Sequence, residues 1–249
     1  RSLPAAQFLN PPGPAFTEEE PMAHLRSLKI QIKSWLSAPD WRSHLPEIVS
    51  QGMSSMGPLM GLLMYEPQMR LRAAIAIGAV TAELNKTRND LARDVLRRLK
   101  WRLSQESGNI GWGVPEAFGE IVAQCPELGK EFHSILFSTI LDLGFDDNYV
   151  DNDVLRRSCY FAIGRVLEAA PQYGNEVRPL LRKGLADTDM ACRGYAAWAL
   201  GKLGPDLNDG PALRHASEEG NNAVCLIVDG DTAKEYPASE LARMALGNR

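Results

Sequence analysis

Apolar and small residues recur along this chain in a register set by glycine. Four segments end alike: MRLRAAIAIGAV, NIGWGVPEAFGEIV, VLRRSCYFAIGRVL and CRGYAAWALGKLG. Aligned on Gly78, Gly119, Gly164 and Gly201, they lie 41, 45 and 37 residues apart. The second residue before each glycine is Ala76, Ala117, Ala162 or Ala199, and the residue just before it is Ile77, Phe118, Ile163 or Leu200. Nine positions before it stand Met69, Ile110, Leu155 and Cys192. Those three slots fall on one side of an α-helix, so each segment predicts a helix with one buried stripe.

A second amphipathic stretch lies upstream of each segment. In DLARDVLRRLKWRLS, Leu91, Val95, Leu96, Leu99 and Leu103 keep helical spacing while Arg93, Arg97 and Lys100 fall elsewhere. Each unit is therefore a helical hairpin, too short to bury both faces alone. Stacking solves that problem. The predicted fold is all-α: a short α-solenoid over residues 53–205 whose second helices line the concave side.

The flanks read differently. Residues 1–16 hold Pro4, Pro11, Pro12 and Pro14 and predict an extended tail. Residues 17–52 predict capping helices, with Thr17 as N-cap and Leu25, Leu28, Ile32 and Leu36 as the apolar stripe. Residues 206–249 form a C-terminal appendage: AVCLIVDGDTAKEYPA predicts a β-hairpin turning at Asp229 and Gly230. A short helix from Ser239 follows, with Leu241, Met244 and Ala245 on its apolar side.

The last repeat, DTDMACRGYAAWALGKLG, resembles the HEAT-like repeats of the phycobilin-lyase type. It carries an acidic start, Arg193 eight positions before the glycine and an Ala-Leu-Gly ending; Arg70 and Arg156 hold the same arginine slot in repeats one and three. The resemblance implies the solenoid fold. It leaves function open, because such repeats serve lyases, scaffolds and binding proteins alike. Two function classes follow. One is a non-enzymatic interaction or scaffold module that binds a protein segment, or a small anionic or aromatic ligand, on the concave face. The other is lyase-like or chaperone-like handling of a tetrapyrrole or similar cofactor.

Repeat two is the one broken at its start. Its arginine slot holds Gly111, and Gly113 and Pro115 follow. Proline is costly inside a helix and welcome in its first turn, so this helix is predicted to begin near Val114, with a loop over 105–113. The shortened start leaves unpaired N–H groups. Glu116, three positions before Gly119, replaces the large apolar Ile75, Phe161 and Trp198 of the other repeats. On a functional reading Glu106, Asn109, Trp112 and Glu116 line a ligand- or partner-binding pocket. On a structural reading Glu116 complements the helix dipole and Trp112 fills the space of the lost turn.

Composition narrows the classes. A formal charge of −4 gives no global reason to expect nucleic acid, and no apolar run is long enough for a membrane span. A cytoplasmic protein without nucleic-acid or membrane partners is the expectation. Cys125, Cys159, Cys192 and Cys225 are 34, 33 and 33 residues apart but fall in different phases of the repeat, so buried free thiols are predicted rather than a metal site. The aspartates of FDDNYVDND lack the spacing of a calcium loop and predict a connection into the next helix. His24, His44, His133 and His215 form no HExxH, and GxSxG, Walker and GxGxxG motifs are absent. No catalytic residue and no cofactor is predicted.

Overall fold

A computed structural model describes residues 19–103, 111–144, 148–204, 206–219, 223–229 and 232–247, with the backbone alone for 19–24, 229 and 232. Most of these residues are helical, and the strands are confined to one antiparallel pair near the C-terminus. Helix α1 (Glu19–Ser37) is followed by a 3-10 turn at Trp41–His44, then α2 (Leu45–Ser50) and α3 (Met53–Leu62). Leu28, Ile32 and Leu36 of α1 are buried as the stripe requires, whereas Leu25 is about half exposed. The stripe is one turn shorter than its spacing predicts. Thr17 lies outside the described residues.

Next come α4 (Pro67–Thr87), α5 (Asn89–Leu103), α6 (Val114–Gln124), α7 (Pro126–Ser138), α8 (Asp153–Ala169), α9 (Gly174–Gly184), α10 (Met190–Gly201) and α11 (Gly210–Glu218). Proline sits in the first turn of α4, α6, α7 and α11, where its missing N–H costs nothing. Pro126 also ends α6, because the residue before a proline is driven out of the helical region; Cys125 is extended, with φ −128° and ψ 90°. Asn152 caps α8 by accepting from the Leu155 N–H at 2.9 Å, so the described part of FDDNYVDND does lead into a helix.

The helices that carry the glycines lie side by side. Helix α4 packs on α6, α6 on α8, and α8 on α10. The alanine slot and the slot after it are fully buried in every one, and Met69, Leu155 and Cys192 are buried too. Close approach explains the glycine: a Cβ on Gly119 would lie 2.8 Å from the Cβ of Ala162, and one on Gly164 would lie 2.1 Å from the Trp198 ring.

Strands β1 (Val224–Asp229) and β2 (Thr232–Pro237) form the hairpin, with Cys225 opposite Tyr236 and Asp229 opposite Thr232. Helix α12 (Ala238–Ala245) follows directly. It buries Leu241, Ala242 and Ala245, while Met244 is about half exposed. Helix α12 packs on α10 much as α10 packs on α8, and α11 packs on α12. The hairpin thus sits between two helices of the same array, and the row gains a fifth helix.

Candidate functional site

The row presents one face whose floor is the slot three before each glycine. Ile75, Glu116, Phe161 and Trp198 occupy it, and all are buried. Phe161 and Trp198 stack with ring centroids 5.3 Å apart, and Tyr195 meets the edge of Phe161 at 6.2 Å. The sequence leads to the expectation of a partner on the concave face. In the structure β1 lies across it.

Strand β1 is seated by contacts that differ along its length. Cys225 is fully buried; its thiol meets the Ala191 carbonyl of α10, and a Cβ on Gly194 would lie 2.6 Å from its sulfur. The Tyr195 hydroxyl donates to the Leu226 carbonyl at 3.3 Å and accepts from the Leu226 N–H at 2.9 Å. One side chain thereby satisfies both backbone groups of one strand residue. Further along, half-buried Val228 borders two narrow clefts. Their other walls include Leu71 and Ile75 of α4, Glu120 of α6, Phe161 and Arg165 of α8, and Trp41 and Arg42 of the 3-10 turn. Three strand residues span only about 10 Å, roughly one helix-to-helix spacing. Because β1 reaches from α10 to α4 within that distance, the row must curve around it.

Below the aromatic floor runs a line of charges. Arg165 donates to Glu120 at 2.9 Å and also to Glu168, and Lys202 reaches Glu168 at 2.9 Å while lying 4.7 Å above the Trp198 ring. Gln124 closes the near end by donating to Glu120 at 2.9 Å. Burial alone would raise the Glu168 carboxyl, but Lys202 and Arg165 hold it below its usual value. Sequence reasoning missed this line. Its signal is the residue just after the last three glycines, where Glu120 on α6 faces Arg165 on α8, and where Arg165 and Lys202 share Glu168 between α8 and α10.

The sequence-predicted residues separate into two groups. Glu106 and Asn109 lie outside the described residues, as does the loop over 105–113 except for its last three positions. Helix α6 does begin at Val114, after Gly113 in the left-handed region at φ 73°. Trp112 is half buried and Glu116 almost wholly buried. The Glu116 Oε1 accepts from the Ser158 hydroxyl of α8 at 2.9 Å, while Oε2 has no hydrogen-bond partner among the described residues. Burial pushes this carboxyl above its ordinary range, against the opposing pull of its own backbone N–H, Ser158 and Arg70. Burial first, and then the charges of Cys225 and Glu116, push the Tyr195 phenol up.

No family model matches the sequence. An uncharacterized protein of Archaeoglobus fulgidus is 32% identical over 159 residues, covering 63% of this chain and 79% of that protein. The chain belongs to that protein's family. All four cysteines are free and buried, Cys159 with its thiol pushed up to about 12 by burial. Among the described residues no group of three or more His, Cys, Asp or Glu is placed to hold a metal ion, and no helix is long and apolar enough to cross a membrane.

Proposed function

We propose that this protein is a non-enzymatic interaction module of the HEAT-like kind, which takes a protein segment on the face formed by α4, α6, α8 and α10. The observation that carries the reading is Glu116. A buried carboxylate oxygen without a partner costs stability, and the equivalent slots hold isoleucine, phenylalanine and tryptophan. Stability alone would favour a fourth apolar residue there. A partner that brings a donor to Glu116 supplies a reason for the acid.

Photo-cross-linking tests this. A photoreactive residue at Glu168, on the rim of the face, is expected to capture a specific partner from native lysate, and the same residue at Trp101 on α5 is not. Glu116→Gln should weaken the captured partner by about tenfold or more, roughly 1.4 kcal/mol, without unfolding the chain. Equal capture from both positions, or none from Glu168, would sink the reading.

A further inference from the structure

We propose that the hairpin is a tethered occupant of the partner site, and that the partner is an extended, apolar strand which displaces β1. The inference rests on the interaction reading above and names the shape of the ligand. Its foundation is how β1 is held. The groove engages it as an extended chain: Tyr195 pairs with both main-chain groups of Leu226, and Cys225 and Ile227, alternate residues, are the buried ones. Main-chain pairing plus pockets for every second side chain is how proteins recognise a strand supplied by another chain.

The fit is also incomplete. Val228 leaves clefts on the side of α4, and Trp41, which lines one of them, has a buried indole N–H without a hydrogen-bond partner among the described residues. With Glu116 Oε2, that makes two unpaired buried side-chain polar atoms among the described residues. A better occupant fills the space beside Val228 and offers an acceptor to Trp41. The outer strand adds little anchoring: Ala233, Lys234 and Glu235 of β2 are exposed, and a two-stranded hairpin alone is marginally stable. Its root is firm. Ala238 donates to the Ala223 carbonyl at 2.8 Å, and α12 is packed on α10. Release therefore begins at the Val228 end and leaves the row of helices intact.

A tethered occupant is present at an effective concentration on the order of millimolar, so a free competitor binds the closed protein weakly. The probe is a synthetic peptide of residues 223–229 flanked by lysines, labelled for fluorescence anisotropy. Ile227→Asp in the full chain places a charge where an apolar side chain is buried and should expel β1 without touching the groove. The peptide is expected to bind this variant at least about tenfold more tightly than the unaltered chain. Equal or no binding, with helical content retained, overturns the proposal.

Amide hydrogen exchange keeps the test decisive if that variant fails to fold. In the unaltered chain the amides of Cys225 to Val228 should exchange at least about tenfold faster than those of α8 and α10, through an opening local to the hairpin. Exchange of β1 only with global unfolding overturns the proposal. The two readings also fail separately. A partner cross-linked at Glu168 that leaves β1 protection unchanged refutes displacement while sparing the interaction reading; no cross-link refutes the interaction itself.

Discussion

At the start of α10, Asp189 caps the helix by accepting from the Cys192 N–H at 2.8 Å and pairs with both arms of Arg157 at 2.8 and 2.6 Å. At the start of α6 no side chain caps the helix, and the chain enters through Gly113 in a left-handed conformation. The charge supply is reversed as well. Arg157 holds the Asp189 carboxyl down to about 2. Asp187, beside it, takes both arms of the buried Arg156 at 2.8 Å. Glu116 has Ser158 on one oxygen and no hydrogen-bond partner among the described residues on the other. Two helices of one row, with α8 between them, thus solve the same problem differently: α10 is locked by paired charges, whereas α6 depends on backbone conformation and carries a carboxylate that burial penalises. Locked ends build the array. An end with an unmet polar demand is where a partner can contribute energy.

The contrast breaks most readily at the locked end. Asp187→Ala leaves the Arg156 guanidinium buried beside the Tyr149 ring, with the Val150 and Asp151 carbonyls but no carboxylate among the described residues to pair with it. Removing one member of a buried pair costs about 3–5 kcal/mol, to be read from denaturant unfolding. A loss under about 1 kcal/mol would show that the pair is not a lock. The α6 end should respond to backbone instead. A Cβ at Gly113 would lie 2.8 Å from Leu63 Cβ and 2.9 Å from the Leu63 carbonyl oxygen, at a φ that L side chains rarely adopt. Gly113→Ala should therefore cost about 2–3 kcal/mol, combining strain with overpacking. Gly144→Ala provides the control, having positive φ with nothing within 4 Å. If the two cost the same, crowding by Leu63 plays no part.

The stacked row was legible in the sequence because burying one stripe per helix leaves a period that survives loops of different length. The start of α6 was legible because Gly113 and Pro115 each restrict backbone in a known way. Asp229 and Gly230 announced the hairpin for the same reason. Its destination was not legible. Nothing local in VCLIVD says that the strand will cross to Trp41 and Leu71, since that contact depends on the curvature of the whole row. The fifth helix was within reach: Ala245, Leu246 and Gly247 repeat the Ala-Leu-Gly ending 46 residues after Gly201. The inserted hairpin stretches the interval and hides the register. At the site, the slot comparison singled out Glu116, but its missing partner depends on which atoms of α8 face it, and that is a property of packing.

The finest test of the contrast is Glu116→Gln, expected to raise stability by about 1 kcal/mol near neutral pH. An amide keeps an acceptor for Ser158 and removes the cost of burying a charge. The sign of the pH dependence follows from linkage. The folded-state carboxyl is raised above its unfolded value, so the unaltered protein is fully stable with respect to this group below the ordinary carboxylate range. It loses that stability as pH climbs toward the raised value, because the unfolded chain gives up its proton first. The amide titrates nowhere in this window. The gain in melting temperature should therefore be small near pH 4 and grow toward pH 8, opposite in direction to what loss of a salt-bridged acid such as Asp189 would give. A gain that does not change with pH would mean that Glu116 is not desolvated as its burial implies. A loss at every pH would mean that the carboxylate is paired in solution, and the difference between the two helix starts would then be one of geometry alone.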